Sequence, residues 1–130
     1  MIKPVLIDSC IWIDFFNKNK HRELLEWISN NFSLSTNYCI LSEVVPGLIH
    51  SKKKEAANLL LTQRKLELKI EWPEIIELQV HFLKYGLNKI GVVDLIIIQN
   101  AIQNNSAIAS IDKHMKKMCN KMKIKVIEGE

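Results

Sequence analysis

The sequence predicts an α/β fold, an α/β/α sandwich in which a short parallel β-sheet is flanked by helices, formed as a single domain over residues 1–130. Short apolar runs alternate along the chain with longer segments of helical periodicity, which is the order expected of a parallel sheet. These runs are apolar almost without interruption, which is typical of strands buried on both faces. A length of 130 residues is close to the usual size of one domain and allows a substantial core.

In the first half of the chain, the pattern of an apolar strand followed by helical sequence occurs twice. The apolar run at 2–7 predicts a strand, with Pro4 near its start where a strand accepts proline, and the stretch to Phe16 leaves room for one short helix. The elements that follow are a helix over 21–32, a strand over 33–36 and a helix over 38–50. Asn37 directly precedes the last of these, and asparagine is a preferred N-cap.

The second half continues the pattern with clearer boundaries. Its central helix has Pro73 in the first turn and Gly86 at the end, and both residue types are common at those positions. The alternating lysines of the last apolar run suit an edge strand. The predicted elements are a helix over 54–66, a strand over 68–72, a helix over 73–86, a helix over 93–104, a strand over 107–111, a helix after Asp112 and a strand over 123–128.

Composition and charge limit the class of protein without fixing its function. Hydrophobic residues make up 48% of the chain and charged residues 25%, so we expect it to fold rather than stay disordered. The 18 Lys and Arg against 14 Asp and Glu give a formal charge of +4, which suits a polyanionic partner and is common in proteins without one. Three scattered cysteines predict reduced thiols. With no apolar run long enough for a membrane span and no secretory signal, we expect a cytoplasmic protein that does not bind membranes.

Four acidic residues stand in unusually apolar surroundings. Asp8 and Asp112 each follow an apolar strand directly, in PVLID and IASID, which places them at the carboxyl edge of the sheet, where ligands bind in such folds. Asp94 is embedded in GVVDLIII on a helix expected to be buried, where an unpaired carboxylate is costly. Glu43 lies in CILSEVVPGL with apolar neighbours on both sides. Convergence of the four acids on one place would account for all of them.

Each acid taken alone has alternatives that the sequence leaves open. Asp8 and Asp112 could cap the helices that follow them, and Glu43 could be a solvated helix residue. Asp94 is harder to explain in this way, because no cationic residue lies within one helical turn of it. Asp14, six residues after Asp8, need not point the same way and is assigned to the solvated face of the first helix.

Taken together, the four carboxylates predict a site for a divalent cation. A carboxylate cluster without His or Cys favours Mg²⁺ or Mn²⁺ over zinc. Such ions bridge a scissile phosphate, lower the pKa of a bound water and neutralise charge on the leaving oxygen. The predicted chemistry is therefore reaction at phosphate.

At these residues the chain resembles a PIN domain, and within that superfamily the small VapC-type toxins. Four blocks carry the resemblance in order, namely LIDSCIWIDFF, LSEVVPGL, GVVDLIIIQNAI and IASIDKHM. The resemblance implies a Mg²⁺- or Mn²⁺-dependent endoribonuclease whose catalytic, metal-binding pocket is formed by Asp8, Glu43, Asp94 and Asp112. It also implies an RNA substrate, a VapB-like antitoxin as partner, a homodimer, and a role as the toxin of a type II toxin-antitoxin pair.

Two departures from the family pattern affect the site. Pro46 interrupts the helix that carries Glu43 and is expected to kink it or end it early. His114 stands where many relatives carry a second acid, so no metal ligand is assigned there. Two other functions stay open, a PIN-family RNA-processing nuclease without an antitoxin and a PIN fold that only binds protein or RNA. The sequence also leaves open which RNA is cut, how many ions bind, and whether the lysines after Asp112 contact RNA.

Overall fold

The computed structural model describes residues 2–128. Within them, a five-stranded sheet in which every pair of neighbouring strands is parallel is flanked by seven helices, which confirms the predicted α/β/α architecture. The strands are β1 (Pro4–Ile7), β2 (Ser33–Thr36), β3 (Arg64–Lys65), β4 (Ala107–Ala109) and β5 (Val126–Ile127). The helices are α1 (Ser9–Lys18), α2 (Arg22–Asn31), α3 (Tyr38–His50), α4 (Lys54–Leu61), α5 (Trp72–Lys84), α6 (Val92–Gln103) and α7 (Lys113–Lys121).

The strand order, β3-β2-β1-β4-β5, places a change of direction at the centre of the sheet. From β1 the chain moves outward to β2 and β3, and then returns to β4 on the other side of β1. Ligands bind in α/β folds at such a switch point, outside the carboxyl ends of the strands. The carboxyl ends of β1 and β4 are joined here, because the Asp8 N–H donates to the Ala109 carbonyl at 2.9 Å. Asp8 and Asp112 therefore lie at the place where the topology favours a ligand.

The core is built on the two central strands and on α6. The residues of β4 and the last three of β1 are buried. Every residue of α6 from Leu95 to Ala101 is buried as well, which explains why this helix is apolar on nearly all sides instead of amphipathic. Among residues 2–128, no helix combines the length and the apolar character that a membrane crossing requires.

The predicted strand over 68–72 is wrong. The third strand is Arg64–Lys65, inside the segment that the sequence assigned to a helix over 54–66, and α4 ends at Leu61. A two-residue edge strand has no apolar alternation of its own to reveal it. Its pairing with Ser35–Thr36 is set instead by the neighbouring strand β2.

Side-chain amides of α6 explain why the apolar segment after β3 is not a strand. Asn100 Nδ2 donates to the Glu67 carbonyl at 2.9 Å, and Gln103 Nε2 donates to the Lys69 carbonyl at 2.8 Å. Gln99 bonds both the N–H and the carbonyl of Glu71. These bonds satisfy backbone groups that a neighbouring strand would otherwise have to pair.

The helix α3 spans Tyr38–His50, as predicted from the sequence, and it continues past Pro46, so the alternative of an early end at that proline is wrong. Asn37 caps it as predicted, accepting a hydrogen bond from the Ile40 N–H at 2.9 Å. Proline removes one hydrogen bond from a helix interior, and packing offsets that loss here. The buried residues that supply this packing are Ile40, Leu41, Val44 and Leu48.

Candidate active site

Asp8 lies at the carboxyl end of β1 and is both a helix cap and a buried acid. Its Oδ1 accepts from the Ser9 backbone N–H at 2.9 Å, which caps α1. Its Oδ2 accepts from the Ser110 hydroxyl at 2.7 Å. Only 6% of the residue is exposed. The capping role that the sequence left open is real, but it uses only one of the two carboxylate oxygens.

Ser110 joins Asp8 to a second predicted acid, Asp112. The serine is fully buried directly after β4, and its hydroxyl oxygen accepts from the Asp112 N–H at 3.0 Å while the hydroxyl donates to Asp8. Asp112 caps α7, because its Oδ2 accepts from the Met115 N–H at 3.1 Å. One buried hydroxyl therefore sets the spacing between the two acids that follow the central strands.

Asp94 and Glu43 approach the same place from two helices. Asp94 is the third residue of α6, is half-buried, and interacts with the backbone N–H of Gly91, which precedes the helix. A carboxylate is favourable there, because the first turn of a helix presents unpaired N–H groups. Glu43 lies on α3, is more exposed, and interacts with the Ser9 hydroxyl.

Burial, together with repulsion from neighbouring carboxylates, raises the pKa values of Asp8, Asp94 and Glu43. Burial raises the pKa of Asp8 above its usual value and repulsion from Asp112 adds to this, while hydrogen bonds from Ser110 and Ser9 oppose it. Partial burial, followed by repulsion from Asp8, raises the pKa of Asp94 and that of Glu43. The structure thus brings the four predicted residues into one electrostatic group, with Asp8 acting on each of the other three.

No cationic side chain in the described part of the chain forms an ion pair with these four acids. His114, where no ligand was assigned, is close enough to Asp94 to oppose the upward shift of its pKa. Over residues 2–128, no three His, Cys, Asp or Glu side chains are gathered closely enough to form a metal site.

Two cysteines lie beside the acids, which the sequence analysis did not indicate. The Cys10 thiol is 3.7 Å from Asp8 Oδ2, as a donor, and 3.8 Å from Ser110 Oγ. Burial, and then the charges of Glu43 and Asp94, raise the pKa of the Cys39 thiol. The only signal in the sequence was spacing, since Cys39 precedes Glu43 by four residues and shares its helix face.

Asp14 lies outside this group, as expected for a bystander. It is half-buried rather than fully solvated, and its Oδ2 is 3.2 Å from His21 Nε2. Its Oδ1 is 4.0 Å from Lys18 Nζ. Asp14 therefore provides a natural control for substitutions at the four grouped acids.

Comparison with known proteins agrees with the fold. The profile of the PIN domain family matches residues 5–121. A chain in the crystal structure of VapBC2 from Rickettsia felis bound to a DNA fragment from their promoter aligns with a TM-score of 0.76 at 16% identity, over 98% of this chain and 99% of that one. A chain of VapBC-1 from nontypeable Haemophilus influenzae aligns with a TM-score of 0.74 at 18% identity, over 96% of this chain and 97% of that one. A chain of DNA-bound VapBC from Salmonella typhimurium aligns with a TM-score of 0.70 at 16% identity, over 98% of both chains. No curated protein sequence matches the chain.

Proposed function

The chain belongs to the PIN domain family, and from this we propose that residues 1–130 form one nuclease domain, a Mg²⁺- or Mn²⁺-dependent endoribonuclease that hydrolyses RNA phosphodiester bonds. The observation that carries the proposal is the convergence of four acids from separate segments, with buried Asp8 repelling the other three. Helix capping accounts for Asp8 and Asp112 alone. It gives no reason for Asp94 and Glu43 to lie within range of Asp8.

The donor set fits a hard divalent cation. All four groups are carboxylates, and Mg²⁺ and Mn²⁺ prefer oxygen ligands. We assign direct coordination to Asp8 and Asp94. Bonds from Ser9 and Ser110 fix the orientation of Asp8, and its Oδ1, which accepts from the Ser9 N–H alone, keeps a further lone pair for a ligand. Glu43 and Asp112 are assigned to contacts through coordinated water.

The surroundings of each residue at the site determine the role that we assign to it in RNA hydrolysis. A bound cation would neutralise charge at the scissile phosphate and lower the pKa of a coordinated water. Ser110 holds Asp8 and Asp112 at a fixed spacing through its two hydrogen bonds. Glu43 is the most exposed of the four acids, and its raised pKa favours accepting a proton, so we assign it to positioning the attacking water.

We further propose that the chain acts in the cytoplasm as the toxin of a type II toxin-antitoxin pair and is held inactive by a VapB-like antitoxin. The support is the fold shared with chains in VapBC complexes from three organisms. A PIN-family RNA-processing nuclease without an antitoxin is the second candidate. A neighbouring small gene for a DNA-binding protein that co-purifies with this chain favours the first candidate, and its absence favours the second.

Removing divalent metal is expected to abolish RNA cleavage, because four carboxylates without a cation repel the phosphate instead of neutralising the charge that develops on it. The measurement is cleavage of pooled tRNA, rRNA and mRNA by purified protein with mapping of the new ends, in excess EDTA and after Mg²⁺ or Mn²⁺ is restored. Activity should return with either ion. Undiminished cleavage in EDTA rules out the metal mechanism, and no cleavage under any condition favours a PIN fold that only binds.

The proposed homodimer is supported by the outer face of α5. One face of this helix is buried in the core through Ile75, Leu78 and Phe82. The opposite face exposes Ile76, Val80 and Leu83, which are 64%, 47% and 48% exposed and lie at helical spacing. Acidic residues stand towards the N-terminal end of α5 and basic residues towards its C-terminal end, so two copies packed antiparallel about a twofold axis would pair opposite charges.

Placing a charge on this face, as in Val80→Lys, is expected to shift the protein from dimer to monomer, because the lysine would be desolvated between two apolar stripes. Light scattering coupled to gel filtration over a range of micromolar concentrations measures the effect. Leu59→Lys on α4, which is 55% exposed, is the matched control and should leave the mass unchanged. Equal masses for both variants and the wild type would exclude the α5 face.

A further inference from the structure

Two buried asparagines link the helices that carry Glu43 and Asp94. Asn37, the cap of α3, is fully buried, and Asn100 on α6 is 1% exposed. Asn37 Nδ2 donates to Asn100 Oδ1 at 2.9 Å. Asn100 Nδ2 in turn donates to the Glu67 carbonyl at 2.9 Å. In the described part of the chain, this is the one side-chain hydrogen bond that joins α3 or its cap to α6.

The direction of both amides is fixed by their outer partners. Asn37 must present its oxygen to the Ile40 N–H, so its nitrogen is left for Asn100. Asn100 must present its nitrogen to the Glu67 carbonyl, so its oxygen is left for Asn37. Flipping either amide would place two acceptors or two donors face to face. A buried network satisfied in only one arrangement rigidifies the elements it joins.

A small rotation of α3 or α6 about the Asn37–Asn100 bond would displace Glu43 or Asp94. Asn37 precedes Glu43 by six residues along α3, and Asn100 follows Asp94 by six residues along α6. Six residues of helix span about 9 Å, so a rotation of about 6° at the link moves either carboxylate by about 1 Å. A misplacement of about 1 Å can cost roughly 10²-fold in catalysis. The packing of α3 against α6 therefore determines where the two acids lie.

We propose that Asn37 and Asn100 are positioning residues for the cation site, holding Glu43 on α3 in register with Asp94 on α6. This inference rests on the proposed metal-dependent nuclease function. Neither asparagine touches the reacting atoms. Both act through the angle and spacing of the two helices.

The test separates capping from linking. Asn37→Ser keeps an N-cap side chain but is too short to reach Asn100. Asn100→Ser leaves the cap intact and removes the link together with the bond to the Glu67 carbonyl. Gln103→Ala is the control, because it removes one bond from α6 to the Lys69 carbonyl without touching α3. The readouts are Mn²⁺ affinity, from the electron paramagnetic resonance signal of free Mn²⁺, and kcat and KM for one cleaved RNA oligonucleotide. Thermal unfolding identifies a variant that fails to fold.

Both serine variants are expected to bind Mn²⁺ about 10-fold or more weakly, the range seen when groups that orient metal ligands are lost. They should lower kcat with little change in KM, while Gln103→Ala resembles wild type. If either folded serine variant binds Mn²⁺ within twofold of wild type, the positioning role is wrong although the nuclease function stands. A wild-type protein that binds no Mn²⁺ and cuts no RNA overturns the proposed function and this role with it.

Discussion

Asp8→Asn is expected to abolish RNA cleavage while the fold persists. Asp8 repels each of the other three acids and is the most deeply buried of the four, so it lies at the electrostatic centre of the proposed cation site. We expect kcat/KM to fall by at least about 10²–10³-fold, the cost of removing one electrostatic group that acts on the transition state. Asparagine keeps the oxygen that accepts from the Ser9 N–H, so α1 remains capped.

Asp14→Asn is the matched control for this experiment, because it neutralises an acid outside the group on α1, the helix that Asp8 caps. Asp14 pairs with His21 and Lys18, and its loss should leave kcat/KM within about twofold of wild type and affect stability alone. Cleavage and Mn²⁺ binding are measured for both variants, and circular dichroism verifies the fold. Wild-type cleavage by Asp8→Asn would contradict its role as a metal ligand.

The convergence of the candidate site's acids could be predicted from sequence because two of them are tied to strand ends. Asp8 and Asp112 follow apolar runs that had to be buried, and parallel strands bring their carboxyl ends to one edge. Asp94 was recognisable for a related reason, since a carboxylate among buried residues needs a purpose. These inferences use local pattern and the rules of parallel sheets.

What could not be predicted depends on contacts between distant segments. Asn37 and Asn100 are 63 residues apart, and neither has a periodicity that indicates the other. The segment 68–72 reads as a strand because apolar residues alternate in it with Lys69 and Glu71, whereas amides from α6 already satisfy its backbone groups. Pro46 favours a kink or an early end, yet the helix α3, which buries one face, continues through it. In each case tertiary packing overrides a local preference.

Asp94→Asn is expected to abolish cleavage and, in metal-free protein at neutral pH, to raise the free energy of unfolding. Burial and repulsion from Asp8 raise the pKa of Asp94, although Gly91 and His114 oppose the shift. The ionised carboxylate is therefore less favourable in the folded protein than in the unfolded chain. An uncharged amide of the same size removes that penalty, and we expect a melting temperature about 2–4 °C higher in EDTA.

The pH dependence of the stability difference between Asp94→Asn and wild type tests the direction of this effect. A carboxyl whose pKa is raised on folding contributes its full stabilisation below the unfolded value of 3.8 and loses it as pH rises through the folded value. The stability difference between Asp94→Asn and wild type should thus be small near pH 3.8, grow as pH rises, and level off by neutral pH.

Adding Mg²⁺ should reverse the order of stability between the two proteins. A cation that binds the folded state alone stabilises it by an amount that grows with its concentration. Wild type should therefore gain melting temperature in millimolar Mg²⁺, while Asp94→Asn, without one of the proposed direct ligands, should gain little. A purely structural Asp94 predicts a lower melting temperature for the variant in EDTA and equal responses to Mg²⁺. That result, or wild-type cleavage by the variant, would show that Asp94 is not part of the cation site. Neutralising a metal ligand must weaken metal binding, and neutralising a repelled charge must not lower the stability of the metal-free protein.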